Sequence, residues 1–107
     1  MRSDRERLLD ILEAVERIEK YSARGFEAFQ NEELIQNWMT HHLQIIGEAA
    51  ARLTDDTHEK AAEIPWSKII GMRNILVHNY FGVDLEAVWN AVENDIPALK
   101  ASIEKLL

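Results

Sequence analysis

The chain has 107 residues, of which 47% are hydrophobic and 29% charged, and it carries a formal net charge of -7. This length predicts one domain spanning residues 1–107, and the composition excludes an intrinsically disordered chain. The absence of cysteine excludes disulfides and thiolate metal sites. No apolar stretch is long enough for a signal peptide or a membrane span, so we expect a cytoplasmic protein. The negative charge argues against non-specific sequestration of nucleic acid.

The first predicted helix runs from about Asp4 to Tyr21. Ser3 and Glu6 form the S-x-x-E pattern of a capping box, which satisfies two backbone amides at the start of a helix. Apolar residues then recur at helical spacing and predict one buried stripe: Leu8, Ile11, Leu12, Val15 and Ile18. This segment is therefore expected to pack as an amphipathic helix.

Gly25 interrupts the pattern, and we expect Phe26 and Phe29 to fall in a short connector. Asn31 is then a candidate N-cap for a long second helix, which residues 54–57 end. A short helical turn is also predicted between positions 59 and 63. Small residues late in the second helix would allow another helix to approach closely: Gly47, Ala49, Ala50 and Ala51.

Pro65 occupies a favoured first position for a third helix, and Gly82 is a natural stop after it. Asp84 is expected to cap a fourth helix, which carries a long apolar seam and should kink at Pro97. No strand-like alternation persists. The sequence therefore predicts an all-α protein, an antiparallel up-and-down bundle of about four main helices, and many functions are compatible with such a bundle.

Polar side chains suited to phosphate chemistry gather at the end of the third predicted helix: Arg73, Asn74, His78 and Tyr80. On an ideal helix Arg73 and Tyr80 lie within roughly 20° of each other, whereas His78 lies about 140° from Arg73. His78 can therefore join the others only if the last helical turn loosens or if two facing copies of the helix share a cleft.

These residue types suit RNA cleavage without a metal. A guanidinium such as that of Arg73 binds phosphate through two parallel bonds and offsets developing negative charge. The imidazole of His78 can move a proton to or from a ribose oxygen near neutral pH. Asn74 can orient these groups, and Tyr80 offers a hydroxyl and a face on which a base can stack.

The run from Arg73 to Tyr80 resembles the Arg-x4-His-x-Tyr motif of HepT-like toxins in the HEPN superfamily. Similarity continues over most of the chain. It includes the segment 38–50 with Ile46-Gly47-Glu48-Ala49, the pair Pro65-Trp66 before the third helix, and Asp95-Ile96-Pro97 in the fourth. The resemblance implies a HEPN-like helical bundle that forms a homodimer, with two copies of the motif facing one cleft.

The resemblance also implies a function, a metal-independent endoribonuclease with Arg73 and His78 as catalytic residues and RNA as substrate. It implies a partner, a minimal nucleotidyltransferase antitoxin of the MntA kind, which adenylylates Tyr80 and silences the toxin. An attached AMP would add negative charge and bulk where RNA phosphate must sit. Asn74, Tyr80 and Glu48 are the supporting residues of this interpretation, and no cofactor and no metal are expected.

Other polar and aromatic residues have simpler interpretations. Glu48 either faces the catalytic cleft and orients His78 or Arg73, or pairs on the surface with Arg52 four residues later. His41 and His42 should point to different faces of a helix, as surface or interface residues that do not share a metal. His58 is expected to be solvated. The tryptophans are expected to anchor the core or an interface: Trp38, Trp66 and Trp89.

Two alternatives to catalysis stay open on sequence alone. Arg73, His78 and Tyr80 could complement the negative end of a helix dipole without reacting with anything. In one alternative the bundle is a non-catalytic module that binds a nucleotide or a nucleotidyltransferase, with Tyr80 only as a modification site. In the other it is a dimerising helical protein without an active site.

Overall fold

The structure, a computed structural model, describes residues 2–78 and 84–107, and the side chains at positions 72 and 74–78 lie outside that description. Every regular element in these two ranges is helical. The α-helices are α1 (Asp4–Ser22), α2 (Gly25–Asn31), α3 (Glu33–Ala51), α4 (Asp55–Lys60), α5 (Trp66–His78), α6 (Leu85–Asn90) and α7 (Ile96–Leu106), and a π-helical turn (Ala91–Asp95) joins the last two. The predicted all-α bundle is confirmed.

The capping box predicted at the start of α1 is present. The backbone amide of Glu6 donates to Ser3 Oγ at 3.1 Å, and the amide of Ser3 donates to Glu6 Oε1 at 3.3 Å. Hydrogen bonds from Ser3, chiefly the one from its backbone amide, lower the pKa of the Glu6 carboxyl below its ordinary value. Helix α1 then buries five side chains along one face, as the apolar spacing predicted: Leu8, Ile11, Ala14, Val15 and Ile18.

The segment after α1 differs from the prediction, because Gly25 begins a helix instead of ending one. Gly25 has a φ of 88°, which a residue with a Cβ rarely adopts, and this lets the chain turn sharply into α2. Phe29 on α2 is fully buried and packs against Trp89 with ring centroids 5.4 Å apart. Burial of this one aromatic residue outweighs the weak helical signal of so short a segment.

The predicted N-cap at Asn31 is also wrong, since Asn31 is the last residue of α2 and Glu32 precedes α3 without a side-chain cap. The helix predicted between positions 59 and 63 instead begins earlier, because Thr54 caps α4 by accepting from the amide of Thr57. Asp4 strengthens this start: its Oδ2 accepts from Thr54 Oγ1 at 2.6 Å and from Thr57 Oγ1 at 2.5 Å. One carboxylate thus joins the beginnings of α1 and α4.

Contrary to the prediction, His58 is an internal contact and not a solvated side chain. Its Nε2 lies 2.9 Å from the carbonyl oxygen of Ala50, so this nitrogen donates, and its ring packs 4.9 Å from that of Trp66. Trp66 is buried and donates from Nε1 to the carbonyl of Ala61 at 3.1 Å. The two rings fix the entry of the chain into α5, and Trp66 has the anchoring role that was predicted.

Asp84 caps α6 as predicted, accepting from the amides of Glu86 and Ala87. The predicted disturbance at Pro97 takes the form of the π-helical turn, which ends at Asp95, two residues before Pro97 in the first turn of α7. Proline removes one backbone donor and crowds an earlier carbonyl, and a wider turn accommodates both effects. The carboxylate of Asp95 in this turn lies 3.1 Å from Lys68 Nζ, an ion pair that ties α5 to the last helices.

Helix α3 is central, since it packs against α1 on one side and against α5 on another. Its buried residues join those of α1 and α7 in one core: Ile35, Met39, Leu43 and Ile46 from α3, Ile11 and Ile18 from α1, and Ile96, Leu99 and Ile103 from the end of the chain. The two sides of α3 differ in how closely the neighbouring helix approaches, and this difference positions the candidate site.

Candidate active site and the adjoining cleft

Helices α3 and α5 touch at Gly47 and Arg73. A Cβ placed on Gly47 would lie 2.6 Å from Cβ of Arg73 and 3.4 Å from the carbonyl oxygen of Ile69. Non-bonded carbon atoms prefer separations of about 3.5–4.0 Å, so only glycine permits this approach. The predicted close contact of small residues in this helix is therefore real, and its partner is the residue predicted to be catalytic.

The close contact fixes the backbone from which the Arg73 side chain projects. Arg73 is half-buried, and Ile69, one turn earlier on α5, is fully buried against the core. The hydrogen bond of Lys68 to Asp95 and the packing of Trp66 hold the first half of the same helix. A long cationic side chain thus begins from a rigid part of the bundle, as precise placement of a charge requires.

The other residues of the predicted motif fall at the edge of what is described. Asn74 and His78 belong to α5, which ends at His78, and their side chains lie outside the described part. Tyr80 and Gly82 lie in residues 79–83, outside the described residues. The catalytic pairing of Arg73 with His78, the supporting role of Asn74 and the modification of Tyr80 therefore stay predictions.

On its other side, α3 borders an open cleft with α1 of about 550 Å³. The lining residues of the α1 side are mainly charged: Arg2, Arg7, Asp10, Glu13 and Arg17, with Ala14 at the floor. The α3 side adds aromatic rings and two more charges: Trp38, His41, His42, Ile45, Glu48, Ala49 and Arg52. We call this space the α1–α3 cleft.

The charges of the α1–α3 cleft are only partly paired. Arg2 and Asp10 form an ion pair at 2.7 Å, and Arg17 and Glu13 form one at 3.1 Å, as residues four apart on a helix can. Within the described part of the chain, Arg7 and Arg52 form no ion pair. Four arginines against three carboxylates leave the cleft with a formal charge of +1 in a chain of -7.

His41 and His42 were predicted to point to different faces of a helix, and one is exposed while the other is buried. Both line the α1–α3 cleft, and their ring centroids are 5.0 Å apart. His42 is buried, and its Nδ1 lies 2.8 Å from the carbonyl of Trp38, so Nδ1 donates there. Burial lowers the pKa of His42 and favours the neutral ring. Only His41 is exposed, in agreement with the prediction for that residue.

Trp38 forms the end of the cleft and holds α1 against α3. Its Nε1 donates to the carbonyl of Arg17 at 2.7 Å, and Tyr21 meets its ring edge-on with centroids 5.2 Å apart. The ring of His42 lies 4.5 Å from that of Trp38. Trp38 therefore anchors the packing of two helices, as predicted, while part of its surface remains accessible from the cleft.

Glu48 is exposed and lies on the rim of the α1–α3 cleft. It follows Gly47 directly, and successive helical residues turn by about 100°, so the two project in clearly different directions. In the described part of the chain no ion pair joins Glu48 to Arg52, although both border the cleft. The predicted surface pair is thus not formed, and the supporting role of Glu48 stays a prediction.

Two further observations concern the described residues only. They contain no group of three or more histidine, aspartate or glutamate side chains arranged to hold a metal ion. None of their helices has both the length and the apolar character needed to cross a lipid bilayer.

Comparison with known proteins identifies the family. The model of the family described as "Ribonuclease HepT-like" matches residues 11–106. The chain belongs to the HepT-like ribonucleases. The matched range includes α3, α5 and the whole run from Arg73 to Tyr80, so the resemblance first seen in the motif extends over nearly all of the chain.

Individual relatives of the HepT-like family agree. A protein of Thermococcus cleftensis named "Probable ribonuclease HepT" is 42% identical, with 98% of this chain and 96% of the relative covered. A "Putative RNase" of Methanocaldococcus jannaschii is 36% identical over 91% of this chain and 90% of the relative. Another, from Caldanaerobacter subterraneus, is 34% identical over 100% of this chain and 96% of the relative. No solved structure matches.

Sequence reasoning found Arg73 but missed the α1–α3 cleft. Arg7 and Arg52 are far apart in the sequence, and each taken alone reads as an ordinary surface charge. Only the packing of α1 on α3 brings them to one cleft. A signal was present in the spacing of His41, Ile45 and Arg52, which repeat along one face of α3 and mix polar with apolar character, as a partly covered groove requires.

Proposed function

We propose that this HepT-like ribonuclease is a metal-independent endoribonuclease toxin that cleaves RNA with Arg73 and His78. Membership of the family supports nuclease activity on RNA. The observation that carries the assignment of Arg73 is the close approach of its Cα and Cβ to Gly47, which fixes the base of the Arg73 side chain against α3. The proposed substrate places the reaction in the cytoplasm, where cellular RNA is found.

In the proposed reaction the ribose 2′-hydroxyl attacks the adjacent phosphorus. His78 accepts the proton of that hydroxyl, the new O2′–P bond forms, and the P–O5′ bond breaks. The departing O5′ takes up a proton, which the imidazolium can return, so the products are a 2′,3′-cyclic phosphate and a 5′-hydroxyl. The guanidinium of Arg73 stabilises the additional charge on the phosphorane oxygens. Neither step needs a metal ion, since a cation and a proton carrier suffice.

We further propose that two copies of the chain complete one cleft. On an ideal helix Arg73 and His78 diverge by about 140°, which disfavours convergence of both groups within a single regular helix. A twofold axis beside α5 would bring Arg73 of one copy near His78 of the other, and C2 dimers are the commonest protein oligomers. Asn74 of either copy would then orient the attacking groups.

Silencing is proposed to act at Tyr80 through an adjacent MntA-like nucleotidyltransferase. Transfer of AMP to the tyrosine hydroxyl forms a phosphodiester and releases pyrophosphate from ATP. The attached nucleotide adds negative charge and bulk near the place where RNA phosphate binds. Replacement of Tyr80 by phenylalanine removes the acceptor oxygen, so Tyr80→Phe protein should gain no AMP when incubated with ATP and the partner.

The test of cleavage compares the purified protein with Arg73→Ala and His78→Ala on a labelled RNA in excess chelator. We expect each variant to cleave at least a hundredfold more slowly, because general acid–base groups and oxyanion-stabilising charges each contribute about that much or more. Arg24→Ala is the matched control, since Arg24 is an exposed arginine paired with Glu32 away from both sites. Its rate should equal that of the unmodified chain.

Equal cleavage by all four proteins would assign the activity to a contaminant and contradict the proposal. RNA binding and AMP transfer without cleavage would favour the non-catalytic binding module. Circular dichroism of each variant shows whether helicity is retained, so that loss of activity is not confused with loss of folding. Mass analysis of the product termini tests the cyclic phosphate directly.

A further inference from the structure

The α1–α3 cleft gathers cations in a chain that is otherwise strongly acidic. Four of the seven arginines line it, and the formal charge outside the cleft is correspondingly more negative than -7. Arginine clusters of this kind recur where proteins bind phosphate, because the planar fork of the guanidinium matches two phosphate oxygens. A protein with net charge -7 must concentrate its cations in this way to bind any polyanion.

Two of these arginines are available to a ligand. Arg2 and Arg17 are paired with Asp10 and Glu13, whereas Arg7 and Arg52 have no ion-pair partner in the described part of the chain. Arg52 is exposed and Arg7 is half-exposed, so both guanidinium groups keep most of their donors for other contacts. They stand on opposite sides of the cleft, one on α1 and the other at the end of α3.

Aromatic rings accompany the cations along the same cleft. His41 is exposed, and it lies against His42, which in turn packs on Trp38. Bases of single-stranded RNA stack on such rings while the backbone follows neighbouring cations, and this combination is typical of single-strand binding surfaces. A cleft of about 550 Å³ that is open along one side accommodates part of a chain passing through it.

Helix α3 alone lies between the cleft and the proposed catalytic arginine. Glu48 on the cleft rim follows Gly47, whose backbone meets Arg73, and consecutive helical residues rise by about 1.5 Å. A strand held in the cleft can therefore reach the side of α3 that Arg73 approaches by passing around one helix. The cleft is therefore separate from the proposed cleavage site, and Arg73 is not among its lining residues.

We propose that the α1–α3 cleft binds the backbone of single-stranded RNA, with Arg7 and Arg52 holding phosphates next to the cleavage site. This inference rests on the proposed function, since it takes RNA to be the substrate. The cleft supplies affinity and alignment, and Arg73 and His78 supply the reaction. Arg7 and Arg52 are thus binding residues and not catalytic residues.

The experiment measures binding of a labelled 12-nucleotide RNA by fluorescence anisotropy, in the 107-residue chain carrying His78→Ala to prevent cleavage. Arg7→Ala combined with Arg52→Ala should weaken binding about tenfold or more, as expected when charge-assisted bonds are lost. The slope of log affinity against log salt should fall by about 1.4, because each phosphate contact on a single strand contributes about 0.7.

The matched control combines Arg5→Ala with Lys105→Ala. Both residues are exposed, lie outside the cleft and form no ion pair in the described part of the chain, and the change in net charge is the same. Binding by this control should stay within about twofold of the parent, since surface charges outside the site act only through screened long-range fields. Equal weakening in both double variants would overturn the proposal.

Two other outcomes would also overturn it. Unchanged RNA affinity in the Arg7/Arg52 variant shows that the cleft does not contact RNA. Conversion of a dimer to a monomer in that variant, measured by sedimentation, shows that the cleft is an interface between copies. The proposed nuclease activity is judged separately by cleavage in the protein with His78 intact, so either idea can fail alone. Unfolding in urea verifies that both double variants are folded.

Discussion

The two sides of α3 are built in opposite ways. Towards α5 the helix has Gly47, and the neighbouring backbone comes so close that a single added carbon would overlap Cβ of Arg73. Towards α1 it has Trp38, Ile45 and charged residues, and a cleft of about 550 Å³ remains between the helices. One side is closed by the smallest residue, and the other is kept open by large ones.

Under the proposed function, this difference separates the positioning of a catalytic charge from the binding of substrate. Arg73 starts from a backbone that cannot move without breaking a tight contact, which suits a charge that must meet a transition state. Arg7 and Arg52 project into open space without ion-pair partners in the described part of the chain, which suits contacts that tolerate variation in the ligand. The same central helix supports both arrangements.

Gly47→Ala should produce the largest effect, because it attacks the closed side directly. The new Cβ would lie 2.6 Å from Cβ of Arg73, so α5 must shift. We expect a net loss of about 1–2 kcal/mol in the free energy of unfolding, since overpacking exceeds the gain of up to about 1 kcal/mol that alanine brings to a helix. Urea unfolding measures this loss, and RNA cleavage should fall with it.

Gly71→Ala is the matched control for that prediction. Gly71 lies on α5 two residues before Arg73, but a Cβ there would meet nothing within 4 Å. Stability should therefore rise by about 0.5–1 kcal/mol, the usual benefit of replacing glycine by alanine in a helix. Destabilisation by both changes, or by neither, would contradict the contrast between a closed and an open position.

The closed side could be foreseen from the sequence, whereas the open side could not. Small residues at positions 47 and 49–51 predicted a close contact with another helix, and the periodic apolar residues of α1 predicted its buried face. The capping residues Ser3 and Asp84 were correct because each satisfies backbone donors within its own helix. Such features are local, so a single sequence records them.

The incorrect predictions from the sequence share one physical origin, which is contact between segments that are distant along the chain. Helix α2 forms because Phe29 packs on Trp89, and α4 begins at Asp55 because Asp4 supports the capping Thr54 from another helix. His42 is buried against Trp38, which itself bonds to Arg17 of α1, although its neighbour His41 remains exposed. Contacts of this kind are not recorded in any local sequence pattern. The α1–α3 cleft was not predicted for the same reason.

Asp4→Asn tests the carboxylate that joins the start of α1 to the start of α4. Helix α1 is one wall of the α1–α3 cleft. Asparagine loses the charge that accepts from both Thr54 and Thr57, and the Thr57 hydroxyl is buried. We expect about 1 kcal/mol of destabilisation at neutral pH, the approximate difference between hydrogen bonds to a charged and to a neutral acceptor. Urea unfolding measures it, and Asp55→Asn, an exposed acid in the same helix start, should cost much less.

The stabilisation by the Asp4 carboxylate should depend on pH, and the direction follows from its lowered pKa. The Thr54 hydroxyl, followed by that of Thr57, lowers the pKa of Asp4 below its ordinary value of 3.8. The stabilisation is therefore complete above pH 3.8 and disappears as the pH falls through the lowered pKa of the folded state. The difference between the native chain and Asp4→Asn should shrink over that acidic range. A constant difference would show that the carboxylate charge contributes nothing.

Glu48→Gln should give the smallest effect, a small change in RNA affinity. Glu48 lies on the rim of the α1–α3 cleft next to Gly47, so it tests whether the two sides of α3 act separately. Glu48 is the carboxylate on the cleft rim that forms no ion pair with Arg52, so it opposes any phosphate bound there. Removal of one screened negative charge should tighten RNA binding about two- to threefold in His78→Ala protein, with a larger effect at low salt. Glu59→Gln on α4, exposed and outside the cleft, should leave affinity unchanged.

The same substitution distinguishes the two roles open to Glu48. Because Gly47 faces α5, its neighbour projects towards the cleft, and a carboxylate placed there acts on substrate before it acts on Arg73. With His78 intact, Glu48→Gln should therefore alter KM more than kcat. A tenfold fall in kcat at unchanged RNA affinity would instead assign Glu48 to the catalytic end, and the closed and open sides of α3 would then share one site.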